Sequence, residues 1–415
     1  MLPLTPLENC TSRDKETGDI FFAYADRDWI LDGATVHVSL VGFDNGLQKT
    51  RQLNGVSSGE INTDLTGGVN VNAANMLREA AGLSFIGITK GGDFDQDEAN
   101  AIPLLKRSGN PNGKPNSDVL LPITNGQDAL QRKPQRWVIN LCHLSEIAAA
   151  LYESPFQRVV SDVKPSRDAN RDKGLRTYWW KLQRSRPDMT NAIHGLSRFI
   201  AIPRVAKYRV CLWFTLPTLT DDQTVVIAKD DDFTFGVLQS RIHDLWAYRA
   251  GTQVRERESG FRYRKECFET FPFPEPTDEQ REAIADAAKA LDGLRNNWLN
   301  PSEWVRTEVL EFPGAVDGPW RRFVVEADAR GIGTVKYPRV VPKDAVAESE
   351  LKKRTLTNLY NLRPAWLANA HAKLDAAVLA AYGWPADTSD DDLLAKLLEL
   401  NLSRGGTEAT PEVEE

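Results

Sequence analysis

The sequence has no CxxC pair, no cluster of histidines and no long apolar run. Its four cysteines (Cys10, Cys142, Cys211, Cys267) lie far apart and its five histidines are scattered. This spacing argues against a structural zinc site or a disulfide framework, and it points to a reducing cytoplasm. No stretch approaches the roughly 18 apolar residues that a membrane-spanning helix needs. The opening MLPLTPLENCTSRD has neither the basic start nor the apolar core of a secretory signal. No internal repeat is visible, and no Ser-His-Asp pattern stands out. His143, His194 and His243 read as structural or ligand-contacting groups rather than catalytic bases. The length of 415 residues suggests two or three domains. An apolar content of 41% with 26% charged residues is that of an ordinary soluble globular chain.

What the sequence does have is charge in one place. The formal net charge is −7, yet residues 164–209 carry twelve lysines and arginines against three acids. That is a local balance of +9, which leaves −16 for the rest of the chain. The cations are Lys164, Arg167, Arg171, Lys173, Arg176, Lys181, Arg184, Arg186, Arg198, Arg204, Lys207 and Arg209. A polyanion bound there would release condensed counterions and bind with strong salt dependence. Tyr178, Trp179 and Trp180 interleave with the cations, where they can stack on bases; the plainer reading turns the tryptophans into the core. A second group follows at 241–265, with Arg241, Arg249, Arg255, Arg257, Arg262, Arg264 and Lys265 against Asp244, Glu256 and Glu258, a balance of +4. Within it GTQVRERESGFRYRK (251–265) reads as a loop of mixed charge and a second DNA contact.

Along the chain, 19–23 and 34–43 read as strands joined by a loop or helical segment, AYADRDWILDG. Residues 44–70 read as loops with short strands, and 72–82 as a short helix ending at Gly82. SFIGI (84–88), RWVINLC (136–142), FIAIPRV (199–205), YRVCLWFTL (208–216) and QTVVIAKD are strand candidates. The segment from Ser145 to Asp168 reads as largely helical, and Phe235–Tyr248 as one helix. Thr277 and Gln280 form a capping box ahead of a helix with apolar spacing. Beyond 300 the chain reads as looser until RPAWLANAHAKLDAAVLAAYGWP, a helix closed by Gly383 and Pro385. A last helix, DDLLAKLLELNL, precedes an acidic tail expected to be disordered. Lys90, Asp93, Asp95 and Glu98 have a carboxylate spacing that can hold magnesium. The alternative is that Asp93 or Asp95 caps the following helix.

Six stretches together carry a resemblance: FAYADRDWILDGATVHVSLVGFDNG (22–46), YESPF with VKPSRD, RFIAIPRVAKYRV (198–210), FGVLQSRIHDLWA (235–247), CFETFPFP (267–274) and LTNLYNLRPAWLANAHAKLDAAVLAAYGWP (356–385). They resemble the C-terminal half of large adenine-specific DNA methyltransferases of fused restriction–modification and phage-defence systems, over roughly residues 20–402. The resemblance implies an α+β fold in three parts. Residues 1–46 would be the end of an α/β methyltransferase sheet, 47–274 a mixed α+β DNA target-recognition domain, and 275–402 a helical C-terminal module, followed by the tail 403–415. It implies binding of double-stranded DNA at a short sequence and positioning of adenine for N6 methylation from S-adenosylmethionine.

The family's Gly-rich cofactor loop and its Asn-Pro-Pro-aromatic motif have no counterpart here. Asn110-Pro111 is followed by Asn112 and Asn300-Pro301 by Ser302, and GFDNG, TGGVN and KGGDF read as turns. No catalytic, cofactor-binding or metal residue is therefore assigned. The cofactor and the chemistry are expected in a missing domain or a separate catalytic chain; a stand-alone, non-enzymatic DNA-binding subunit or a truncated remnant is the alternative. The DNA-binding set read from the sequence is Lys164, Arg167, Arg171, Lys173, Arg176, Arg184, Arg186, Arg198, Arg204, Lys207, Arg209, Arg241, Arg255 and Arg257, with Asn170, Gln183, Asn191 and Gln239 weaker choices for adenine edges. Tyr24, near the end of the catalytic-domain segment with His37 and Ser39, can stack a flipped base or simply pack. Residues 20–46, lacking the strands of the remaining sheet, are expected to pack poorly alone or to be covered by another protein.

Overall fold

The computed structural model describes residues 18–31, 34–63, 65–253 and 261–405. It is a mixed α+β structure of several small sheets and many helices, the class expected from the sequence. The chain forms two compact units, one of Met1–Glu79, Thr270–Pro272 and Asp387–Glu415, the other of Ala80–Glu269 and Phe273–Ala386.

In the first unit, β1 (Asp19–Leu31) and β2 (Ala34–Asp44) form a long antiparallel hairpin. The stretch read as a connecting loop is therefore strand. Two register slips, between Ile20 and Phe22 and between Tyr24 and Arg27, let the charged middle of β1 stay paired. The short strands β3 (Arg51–Leu53) and β4 (Val56–Ser58) complete a sheet of order β2-β1-β3-β4. Ile20, Ala23, Ile61 and Leu65 make a small core beneath the start of the hairpin. Its far end is bare, with Trp29, Ile30 and Leu31 all more than half exposed. The expected helix over 72–82 is only two 3-10 turns, Val71–Ala73 and Arg78–Ala80. The Asn75 backbone is held from outside the segment: Asn75 N donates to Asn401 Oδ1 at 2.8 Å. Asn401, fully buried on the helix Asp390–Gly405, also donates to Asn75 O and Thr270 O. Of the expected tail, 403–405 finish that helix and 406–415 lie outside the described residues.

The second unit holds β5 (Ser84–Ile86), β6 (Asp95–Gln96), β7 (Leu120–Thr124), β8 (Arg136–Ile139), β9 (Arg198–Pro203), β10 (Val205–Ala206), β11 (Leu212–Thr215), β12 (Leu219–Thr220), β13 (Thr224–Ile227), β14 (Thr252–Gln253), β15 (Phe261–Arg262), β16 (Val305–Ala315), β17 (Val324–Val325) and β18 (Ile332–Pro342). They form sheets of order β11-β9-β13-β5, β12-β7-β8-β6, β10-β15-β14 and β16-β18-β17. One continuous core joins the first two sheets to the helices around 146–193 and to the β16–β18 ladder. The apolar runs at 137–139, 199–202 and 225–227 are buried throughout, which is why they read from the sequence as strands without alternation.

Two expectations fail here for identifiable reasons. The looser region after 300 is a ladder running from Val305↔Pro342 to Ala315↔Ile332. Pro313, Pro338 and Pro342 mask it in the sequence, because proline normally marks a strand's end or edge. Trp320 fills the space beside it, stacked on Trp137 at 5.9 Å and edge-on to Phe312 at 4.9 Å and Tyr337 at 5.0 Å. The single helix read over 235–248 is two helices, Asp232–Gln239 and Arg241–Ala250. Ser240 breaks it with extended backbone and caps the second helix through its Oγ. The capping box at Thr277 and Gln280 is present, opening the helix Asp278–Leu299, and Gly383 ends the helix Ala365–Tyr382 at φ +69°. No helix among the described residues is long and apolar enough to cross a membrane.

Candidate nucleic-acid interface

The basic stretch folds as short helices, Lys164–Asp168 and Lys173–Thr177, followed by an irregular turn. Trp179 and Trp180 are each only 6% exposed, so the aromatic surface anticipated for stacking on bases is core. Their indole N–H groups donate to Glu146 Oε1 and Leu144 O, both at 3.1 Å. Tyr178 alone of the triplet is exposed, with the Lys181 ammonium 5.6 Å from its ring.

The cations separate into three fates. Arg167 is buried, and its Nη2 donates to the carbonyls of Lys90 (3.1 Å) and Lys181 (3.2 Å). Arg209 is buried as well. It donates to Asp244 Oδ1 at 2.7 Å, to Ser240 O at 3.1 Å and to Leu238 O. These two expected DNA contacts are corrected: both guanidinium groups satisfy interior carbonyls, and Arg209 stabilises the helix break at Ser240. A second set is engaged at the surface. Lys164 pairs with Asp168 at 2.7 Å. Arg198 pairs with Asp232 at 2.8 Å and lies 3.8 Å over the Trp213 ring. Lys207 donates to Asn361. Arg176 donates to the carbonyls of Asn170 and Arg171. Arg241 is exposed at the start of its helix. A third set, Arg171, Lys173 and Arg184, is exposed and shows no side-chain hydrogen bond or ion pair among the described residues. Arg255 and Arg257 lie outside the described residues.

The structure also assembles a cluster that is not continuous in sequence. Thr89 and Arg184 exchange backbone hydrogen bonds at 3.0 Å, which carries the end of the basic stretch to residues 87–89. Thr89 Oγ1 donates to Asp222 Oδ2 at 3.0 Å, and Arg204 Nη1 to Asp222 O at 2.8 Å. Gly87 is required for this approach, because a Cβ there would run into the carbonyls of Thr220 and Asp221. Val205 in β10 stands opposite Arg262 in β15, and Tyr263 N donates to Arg204 O at 2.7 Å. Arg184, Arg186, Arg204 and Arg262, separated by up to 78 positions, thus share one surface.

On that surface Asp222 and Glu266 stand among the arginines. Burial first, and then the charge of Arg262, push the Arg204 guanidinium below the ordinary arginine range. Asp222 and Glu266 pull against this shift, and Arg186 adds to it. The Nε atoms of Arg186 and Arg204 are buried without a hydrogen-bond partner. Arg186 is held at φ +54°, a left-handed conformation that costs an arginine about 1 kcal/mol or more. Like charges, unused donors and backbone strain at one place describe a preformed site for an anion or a polar acceptor edge. Arginine's planar fork matches both phosphate and the O6 and N7 of guanine. Of this cluster, Arg262 stood in the second basic group without being singled out, and Thr89 and Asp222 carried no sequence signal.

The other anticipated sites dissolve into structure. Asp95 is taken by Lys90 at 2.5 Å and by Arg136, and Glu98 by Arg339. Asp97, rather than Asp93 or Asp95, caps the helix Glu98–Lys106, accepting from Asn100 N at 2.8 Å. No group of three or more metal-type ligands occurs among the described residues. Tyr24 packs edge-on to Phe22 at 5.3 Å, with the Arg27 guanidinium 4.3 Å over its ring. Ser39 donates to Ala25 O, and the His37 side chain lies outside the described residues. The three glycine groups do not fit a methyl-donor cofactor. Gly46, Gly68 and Gly91 take positive φ in turns, and none leads from a strand directly into an α-helix.

Residues 103–275 match the family model of the MmeI target recognition domain. No curated protein matches the sequence. A solved structure of the Type IIL restriction-modification enzyme MmeI in complex with DNA superposes with a TM-score of 0.66 at 19% identity, covering 95% of this chain and 47% of that one. This chain thus spans about half the length of the MmeI chain it resembles in fold. Residues 103–275 carry a target recognition region of the MmeI type, the kind of region expected from the sequence.

Proposed function

We propose that this chain binds duplex DNA and reads a short sequence through the surface that joins Arg184, Arg186, Arg204 and Arg262. The carrying observation is the Arg186–Arg204–Arg262 convergence, in which the Nε atoms of Arg186 and Arg204 are buried without a hydrogen-bond partner. Such donors are satisfied by an acceptor on the ligand, and a guanine edge or a phosphate supplies it. Arg262 on β15 is paired with Val205, the residue after Arg204, which sets the two arginines side by side. The exposed cations of the 164–186 stretch supply phosphate contacts, which position the protein without specifying sequence.

On this reading the chain is the recognition portion, about residues 47–274, of a cytoplasmic S-adenosylmethionine-dependent adenine-N6 methyltransferase in a restriction–modification or phage-defence system. Methyl transfer belongs to a catalytic domain, on the same polypeptide or on a separate chain, that carries the cofactor loop and the Asn-Pro-Pro-aromatic motif. No residue here is given a part in the transfer itself. The test is selection of bound duplexes from a randomised library. Enrichment of one short motif supports recognition; sequence-blind binding that disappears at higher salt, or no binding, contradicts it.

A further inference from the structure

The end of β15 separates two neighbouring side chains: Arg262, its last residue, is exposed, while Tyr263, the residue after it, is 1% exposed. The Tyr263 hydroxyl lies 2.9 Å from His243 Nε2, and His243 is fully buried on the helix Arg241–Ala250. Their rings meet at 5.8 Å. Burial holds the imidazole neutral and the phenol protonated, so one neutral hydrogen bond joins them. The same helix is tied to the strand's continuation at its other end. Arg264 Nη2 donates to Ala250 O at 2.8 Å, and Cys267 Sγ lies 3.7 Å from Ala247 O. The start of this helix is in turn fixed by Arg209 on Ser240 O. A two-residue strand, though paired on both sides by β10 and β14, has a short ladder to define its place. The inward anchor ties its end to the helix Arg241–Ala250 as well.

We infer that the buried Tyr263–His243 pair is a positioning element for base readout, holding β15 so that Arg262 meets one base pair. Neither residue touches DNA on this account; both act through Arg262. The inference rests on the reading that Arg262 contacts a base edge, so the experiment separates the two.

The duplex selected by the wild-type chain is compared with duplexes changed at single positions, by competition binding. Four proteins are used: wild type, Arg262→Ala, Tyr263→Phe, and Tyr263→Phe combined with His243→Leu. Arg262→Ala is expected to lose roughly ten- to hundredfold discrimination at one position. Tyr263→Phe is expected to lose roughly threefold to tenfold at that same position. Its affinity for unrelated DNA and its salt dependence should match wild type. The double variant removes both polar partners, so its denaturant midpoint should recover toward wild type while discrimination stays relaxed. A structural role alone would move affinity for every sequence together, or restore discrimination along with stability; either result overturns the inference. So does unchanged discrimination in Tyr263→Phe when Arg262→Ala has lost it. If Arg262→Ala changes discrimination nowhere, the underlying readout reading fails first, and the positioning role falls with it.

Discussion

The stretch Lys164–Arg176 and the cluster of Arg186, Arg204 and Arg262 are both rich in positive charge, and the fold treats them differently. In the first, cations adjacent in sequence are dispersed. Arg167 turns inward to two carbonyls, Lys164 meets Asp168, Arg176 caps nearby backbone, and Arg171 and Lys173 remain in water. In the second, cations distant in sequence are gathered by a bridge at Thr89 and a strand pair at Val205 and Arg262, and their charges depress Arg204 together with its burial. A run of charge in a sequence is therefore a poor guide to a patch of charge on a surface. Exposed, mobile cations suit phosphate contacts, which tolerate loose geometry; crowded and anchored ones suit base edges, which do not.

The contrast is easiest to break at its buried end. Arg209→Ala leaves the Leu238 carbonyl and Asp244 without the guanidinium donor and takes one of two donors from the Ser240 carbonyl, and should destabilise the chain by about 3 kcal/mol, near the low end for a broken buried pair because Asp244 is exposed. Denaturant unfolding checks this.

Buried charge can also be probed by pH. Burial, first of all, pushes the Asp118 carboxyl up to about 6, with one of its oxygens unpaired and Tyr152 donating to the other at 3.2 Å. A raised carboxyl favours the folded state below the unfolded value near 4, and that contribution is lost as pH rises through about 6. Asp118→Asn should therefore gain roughly 2 kcal/mol relative to wild type between pH 4 and pH 6.5. His371 works in the opposite sense. Burial, then Arg295 and Arg209, push it down to about 4, so it costs stability as pH falls from about 6.5. The two effects offset in the wild type, and the stability of Asp118→Asn should fall more steeply with acid.

In the gathered cluster, Arg204→Ala or Arg262→Ala should each weaken preference at one base position by about 1–3 kcal/mol, with little change in unfolding midpoint. The smallest effect belongs to the exposed cations. Arg171→Ala and Lys173→Ala should each lower the salt slope of binding by about 1 and leave the preferred sequence alone. If the exposed residues changed the preferred sequence and the clustered ones only the salt slope, the two regions would have been assigned the wrong way round.

Local signals were the legible part of the fold. The Thr277–Gln280 capping box, the Gly383 helix end and the apolar runs at 137–139 and 225–227 follow from neighbouring residues alone. The break at Ser240 was not legible, since the group that stabilises it, Arg209, lies 31 positions away. Nor was the β16–β18 ladder, whose prolines imitate loop. For the site, the sequence indicated a basic, DNA-facing region and named Arg184, Arg186 and Arg204. It also named Arg167 and Arg209, because nothing local separates an arginine that satisfies interior carbonyls from one that meets a ligand. Arg262 entered the site only through strand register.

The most direct test is arginine-selective chemical modification read by mass spectrometry, with the chain free, bound to its selected duplex, and bound to an unrelated duplex. The account predicts that the selected duplex alone protects Arg184, Arg204 and Arg262, while either duplex protects Arg171. Equal protection of Arg204 and Arg262 by both duplexes, or by neither, would contradict the claim that this cluster reads the sequence.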